Sequence, residues 1–257
     1  MHRPWRRRRT AAPRGPRTAV SPGKCPSPPP QCIAAMTTPD AARQVEGSVV
    51  HLIPFFISVS VYFRALQSYD TYTIPVVLLK CAPIISLMYF VVTVGYKKRS
   101  VYSRRILMGL IAGCVGDVLI IWNKLFIFAM LAFSVGHINY ISAFGFQPLK
   151  LQRGLYTLML GILATLSLYS GLTNVYLIGV PLYIFLLTLL CWRSAAKIQN
   201  NWTWIQILTC VGSFSFGISD FLIGIDKFLH PVPYAKILIM TTYYAAQLGI
   251  SLSILEP

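Results

Sequence analysis

The 257-residue chain is 55% apolar and only 12% charged, about half of the ~25% charge usual in soluble domains. That ratio excludes an ordinary soluble globular fold. The formal net charge of +16 is unevenly spread, since residues 1–48 carry nine of the 23 Lys and Arg side chains against only Asp40 and Glu46.

Residues 1–48 read as a disordered basic tail rich in Pro and Arg, and 49–257 as a membrane domain. The Arg6–Arg9 run has the chemistry that attracts anionic lipid or nucleic acid, and an Arg-rich, acid-poor start also resembles a mitochondrial transit peptide. Pro4, Pro13, Pro16, Pro22, Pro26 and Pro28 to Pro30 oppose the amphipathic helix that such a peptide requires. A disordered extension is therefore the expectation, with no nucleic-acid partner. Met36, followed by TTPDAARQVEG, reads as a natural chain start and makes 1–35 an optional leader. No apolar core precedes the first predicted span, so no signal peptide is expected.

Beyond the tail, runs of about the ~20 apolar residues needed to cross the hydrocarbon core predict eight spans. They lie at 49–66, 73–94, 105–122, 124–144, 154–171, 174–192, 202–225 and 234–254. Stretches such as IPVVLLKCAPIISLMYFVVTV lack the alternation of barrel strands. The predicted fold class is all-α, a polytopic membrane protein built as a bundle of eight transmembrane helices. Short loops make sequence neighbours antiparallel. On the side of the N-terminus lie Lys97, Lys98, Arg99, Arg104, Arg105, Lys150, Arg153, Arg193 and Lys197, against Arg64, Lys124, Lys227 and Lys236 on the other. The excess of basic loop residues predicts both termini in the cytosol. Trp122, Trp192, Trp202 and Trp204 fall at predicted span ends, as amphipathic rings should.

Cys81, Cys114, Cys191 and Cys210 lie in spans, where they act as small apolar residues, and Cys25 and Cys32 sit in a tail on the reducing side. No pairing is implied. With no CxxC or HExxH and with His2, His51, His137 and His230 far apart in sequence, neither a metal nor a cofactor is expected.

An ionisable group at membrane depth costs ~2.5 to 3.5 kcal/mol on insertion scales, which singles out Lys80, Asp117, His137 and Asp220. Asp117 follows Gly109 and Gly113 at four-residue spacing, and Asp220 follows Ser213 and Gly217 at spacings of four and three. Both aspartates continue faces of small residues, the faces that pack against other helices. Lys80, about seven residues from the non-cytosolic end of its span, and the aspartates, about five, would all lie within ~7 to 11 Å of that face at ~1.5 Å per residue. One shared cavity is the expectation. His137 with Tyr140, and Tyr243, Tyr244 and Gln247 from the last span, offer further hydrogen-bonding groups. GDVLII and SDFLIG, four spans apart in the same orientation, fit the relic of a four-plus-four duplication with parallel halves.

A serine hydrolase is not expected, because SFSFG at 213–217 lacks the first Gly of a nucleophile elbow and lies inside a predicted span. GCVGD approaches the GxGD of intramembrane aspartyl proteases, but its spacing differs, and the second Asp, in ISDF, lacks the preceding Tyr. What remains is acid and base chemistry by two carboxyls in unlike surroundings. Burial favours a neutral acid and a neighbouring Lys a carboxylate, so one donates a proton while the other activates water. The same pair would serve as a proton relay. The residues leave open an enzyme and a non-enzymatic proton-linked carrier or lipid transporter.

The stretch GDVLIIWNKLFIFAMLAFSVGHINYISAFGFQPL at 116–149, with LKCAPI at 79–84, SFSFGISDFLIGIDKF at 213–228 and TTYYAAQLG at 241–249, resembles the YhhN family of membrane lysoplasmalogenases, particularly its vertebrate-type branch. The likeness runs over essentially all of 49–257. It implies an eight-span enzyme of the endoplasmic reticulum that hydrolyses the vinyl ether of a lysophospholipid, a lysoplasmalogen, to a fatty aldehyde and glycerophosphocholine or glycerophosphoethanolamine. Carried over residue by residue, the family's acidic pair falls on Asp117 and Asp220 as the catalytic groups. Lys80, His137, Tyr140, Tyr243, Tyr244 and Gln247 are then expected to position water or substrate. Which aspartate is the acid stays open at this stage, as does the oligomeric state.

Overall fold

The computed structural model describes residues 47, 50–68, 74–96, 100–199 and 202–256. The expectations for the tail, for Cys25 and Cys32 and for Lys97, Lys98 and Arg99 lie outside the described residues. Among the described residues eight α-helices follow one another: α1 (Ile53–Ser68), α2 (Ile74–Tyr96), α3 (Val101–Leu119), α4 (Phe126–Phe144), α5 (Leu151–Tyr169), α6 (Tyr176–Lys197), α7 (Trp204–Phe228) and α8 (Ala235–Leu252). Short 3-10 turns lie at Asn123–Leu125 and Ser253–Leu255. Each helix overlaps one predicted apolar run, and no strand occurs among the described residues.

Six of these helices are long and apolar enough to cross a membrane. The two that fall short do so for different reasons. Helix α1 has 16 residues, about 24 Å at ~1.5 Å per residue, and α3 carries Arg104, Arg105 and Asp117 within its 19 residues. The predicted span at 105–122 is also displaced. Ser100 caps α3 by accepting a hydrogen bond from the Ser103 amide at 3.1 Å, so the two arginines fall within its first five residues, and the helix ends at Leu119. Thr203 starts α7 in the same way, accepting from the Gln206 amide at 3.3 Å. An N-cap hydroxyl satisfies an amide that has no partner within the helix.

Helix packing forms a closed ring. In order around it, α2 packs on α3, α3 on α4, α4 on α6, α6 on α7, α7 on α8, and α8 back on α2. Helix α1 lies against α2 and α5 against α6, outside that ring. Small residues permit the closest approaches. A Cβ on Gly249 of α8 would come within 2.9 Å of the Cα of Gly212 on α7, so these two backbones touch as glycine-lined membrane helices do. The outer face is hydrocarbon. On α5 only Thr157 and Leu168 are buried, while Leu155, Met159, Ile162, Leu163 and Leu166 are exposed, a surface that an aqueous protein would not present.

At the end of the bundle carrying Gly145 and Ile198, basic side chains bind chain carbonyls. Arg193, fully buried, donates from Nε to the Gly145 carbonyl at 2.5 Å and from Nη1 to that of Pro148 at 3.1 Å. Arg153 donates to the Ala195 and Ile198 carbonyls, and Lys150 to Ile198. Cations at the last carbonyls of a helix are favourable. Residues that the sequence marks only as a basic loop therefore tie the α4–α5 connection to the end of α6.

Candidate active site

Asp117 lies in the last turn of α3, 2% exposed. Its carboxylate accepts from two directions. Lys80 Nζ on α2 stands 3.3 Å from Oδ1 and also donates to the Asp117 backbone carbonyl at 3.2 Å. The Tyr243 hydroxyl on α8 donates to Oδ2 at 2.6 Å. Behind Tyr243 the donors run one way: Tyr140 donates to Gln247 Oε1 at 2.7 Å, and Gln247 Nε2 donates to the Tyr243 oxygen at 3.2 Å. Each group gives one proton forward, an order in which successive hydrogen bonds polarise one another. Gly113 makes room for it, since a Cβ there would lie 3.0 Å from Gln247 Nε2 and 3.3 Å from the Tyr243 oxygen. Lys80 is steadied from its own backbone. Pro83 lacks the amide that would bond one turn back, and the neighbouring Lys80 carbonyl takes the Tyr244 hydroxyl at 2.8 Å.

Asp220 on α7 has different company. The Tyr183 hydroxyl on α6 donates to its Oδ2 at 2.6 Å, and His137 Nε2 on α4 lies 3.0 Å from that hydroxyl and 3.6 Å from Oδ2. Tyr183 has a single hydroxyl proton and spends it on Asp220, so His137 must be the donor in the other contact. The imidazole therefore carries hydrogen on Nε2. Its Nδ1 is buried without a partner among the described residues, and Phe216 packs edge-on at 4.7 Å between ring centroids.

Two cavities adjoin these groups. A polar one of about 270 Å³ is lined by Lys80, Asp117, Asn123, Asp220, Asp226, Lys236 and Tyr243, with apolar residues between them. An apolar one of about 390 Å³ lies between α5, α6 and α7 and is lined by Leu160, Leu168, Tyr183, Leu187, Asp220 and Phe221 among others. Asp220, Ile120, Phe133 and Ile223 border both. Asp117 and Lys80 border only the polar one.

The expectation of a shared cavity for Lys80, Asp117 and Asp220 thus matches the geometry, whereas the expected five-residue distance of each aspartate from its helix end does not. Asp117 sits two residues before the end of α3 and Asp220 eight before the end of α7, because α3 stops earlier and α7 runs further than their apolar runs indicate. Of the expected positioning residues, Lys80 and Tyr243 line the polar cavity. His137, Tyr140 and Gln247 stand behind the groups that do, and Tyr244 ties α8 to α2. Tyr183 is the residue that sequence reasoning passes over. Its one signal is a hydroxyl in mid-helix, in PLYIFLLTLL, away from the interfacial level where Tyr is usual. Cys81, Cys114, Cys191 and Cys210 are free thiols. His, Cys, Asp and Glu form no group of three suited to a metal among the described residues.

Residues 76–254 match the YhhN family. Over 228 residues the chain is 36% identical to bovine (Bos taurus) lysoplasmalogenase TMEM86A, an alignment covering 86% of this chain and 94% of that one. Human (Homo sapiens) lysoplasmalogenase TMEM86A is 35% identical over the same shares, and human lysoplasmalogenase TMEM86B is 36% identical over 80% of this chain and 86% of its own. No solved structure matches the chain.

Proposed function

The chain belongs to the YhhN family, and from that premise we propose that it is a lysoplasmalogenase, hydrolysing the vinyl ether of a lysophospholipid to a fatty aldehyde and a glycerophosphodiester. The observation that carries the reading is a pair of carboxyls held differently at one cavity, Asp117 by Lys80 and Tyr243, Asp220 by Tyr183 and His137. Vinyl ether hydrolysis needs a proton for carbon and an activated water, and so an acid and a base. Asp117 and Asp220 are the proposed catalytic groups. Lys80 and Tyr243 orient Asp117, Tyr140 and Gln247 orient Tyr243, His137 orients Asp220 through Tyr183, and Tyr244 holds the segment that bears Lys80.

The experiment is incubation of the purified protein, in detergent micelles, with an alkenyl lysophospholipid. Aldehyde release is the expected result, and a diester lipid without the vinyl ether stays intact. Substrate flux in sealed vesicles with no aldehyde formed would instead identify a carrier.

The proposal extends to placement: residues 49–257 as one eight-span catalytic domain in the endoplasmic reticulum membrane, 1–48 as a cytosolic tail, and both termini cytosolic. The short α1 then spans by local thinning or by its flanking residues, and α3 by burying Asp117 in the bundle. Basic residues concentrated at the Gly145 and Ile198 end support that orientation. Gln199→Cys and Pro231→Cys, each alone in a cysteine-depleted chain, test it in sealed microsomes with an impermeant thiol reagent. Gln199→Cys should label from outside, and Pro231→Cys only after permeabilisation. The reverse pattern would invert the topology.

A further inference from the structure

Apart from Asp220 and Tyr183 at one end, the apolar cavity offers little for a polar ligand to bind. Its Ser and Thr hydroxyls already donate to their own helices: Thr157 Oγ1 to the Gly154 carbonyl at 3.0 Å, Ser167 to Leu163 at 2.7 Å and Thr188 to Ile184 at 2.9 Å. The Cys191 thiol likewise points to the Ser213 carbonyl at 3.4 Å. What is left is hydrocarbon surface, with Leu160, Leu163 and Ile218 on the lining while largely exposed on the outer face of the bundle. The cavity has a volume typical of small-molecule pockets, borders the lipid-facing helix α5, and ends at Asp220.

Resting on the lysoplasmalogenase reading, we infer that this chamber holds the alkenyl chain, and that Asp220 is therefore the acid that protonates the vinyl carbon bearing the chain, with Asp117 on the side of the attacking water. Position makes the assignment. The two vinyl carbons are not equivalent: the proton must reach the one bonded to the chain, and water must reach the one bonded to the ether oxygen. A chain lying in the chamber brings the first carbon to Asp220, the carboxyl common to both cavities. The ether carbon, glycerol and headgroup then extend into the polar cavity with Asp117, Lys80, Asp226 and Lys236. Tyr183 and His137 both engage Asp220 through Oδ2, so Oδ1 is the oxygen that delivers the proton.

The steps balance. The vinyl π electrons form a C–H bond with the Asp220 proton, leaving an Asp220 carboxylate and an oxocarbenium ion. Water bonds to the ether carbon as its proton passes to Asp117, giving a hemiacetal. The bond from that carbon to the glycerol oxygen then breaks while Asp117 returns its proton to that oxygen, and the hemiacetal hydroxyl proton goes to Asp220 as the aldehyde forms. Both carboxyls are restored.

Asp117→Asn and Asp220→Asn, as full-length proteins in micelles made with heavy water, separate the two roles. Recovered substrate is analysed by mass spectrometry after prolonged incubation. In Asp117→Asn the vinyl carbon is still protonated but the cation is not captured, and it reverts by losing hydrogen or deuterium to Asp220. Recovered lipid should therefore carry deuterium at the chain-bearing vinyl carbon. Asp220→Asn should leave it unlabelled. Label in Asp220→Asn alone, or in neither variant, would overturn the assignment. Gly217 lines the chamber with open space, since a Cβ there would meet only Cys191 Sγ at 3.9 Å. Gly217→Leu should lower kcat/KM for a long-chain substrate at least tenfold relative to a short-chain one. An equal change for both lengths would remove the chain from this chamber. A native protein that released no aldehyde at all would overturn the function itself, a different outcome from either of these.

Discussion

Asp117→Asn and Asp220→Asn are each expected to lower aldehyde release by about 10²–10⁴-fold, the range that a positioned proton-transferring group contributes. Asn keeps the shape of Asp and cannot exchange a proton, so the helices should remain packed. The two variants should differ in their hydrogen bonds. Asn at 117 has one oxygen in place of two and can accept from either Tyr243 or Lys80 but not both, whereas Asn at 220 can keep its oxygen toward Tyr183. Measuring aldehyde release together with the thermal midpoint in detergent separates chemistry from folding. Activity within threefold of the native chain in either variant would remove that aspartate from the mechanism.

Lys80→Met is expected to be the most destabilising single change at the site. The Lys80 and Asp117 side chains are only 11% and 3% exposed, and removing one member of a buried ion pair leaves the other uncompensated, at a cost of about 3–5 kcal/mol. Adding Asp117→Asn to Lys80→Met takes away the stranded charge as well. The double variant should recover most of the lost thermal stability while remaining inactive, because no carboxyl is left at 117. Thermal unfolding of the four chains (native, two singles and the double) gives the coupling directly. If Lys80→Met unfolds at the native midpoint, the pair does not hold Asp117 and Lys80 has another role.

The eight helices were legible in the chain because apolar runs of that length have few alternatives, and in hydrocarbon every backbone amide needs a partner within its own segment. The aspartates were legible for a related reason. A carboxyl on a small-residue face inside an apolar run has nowhere to go except the interior. Helix ends were less so: Arg104 and Arg105 look like loop residues until the Ser100 cap draws them into the first five residues of α3. Tyr183 was invisible as a site residue, because in an apolar run an aromatic ring reads as packing until the partner of its hydroxyl is known.

Sequence alone therefore determines the helical membrane class, the family and the inward placement of the two aspartates, all of which depend on local composition and short motifs. Tertiary structure decides which polar groups meet. Periodicity assigns a residue to a face of its helix but says nothing about the helix opposite, and the decisive contacts join positions far apart along the chain: Tyr243 to Asp117, Tyr140 to Gln247, Tyr183 to Asp220. The ring that closes α8 onto α2 sets Lys80 beside Asp117, and the packing of α6 between α4 and α7 sets Tyr183 between His137 and Asp220. Because each carboxyl takes its partners from a different pair of neighbouring helices, two aspartates that look alike in sequence are held in unlike surroundings.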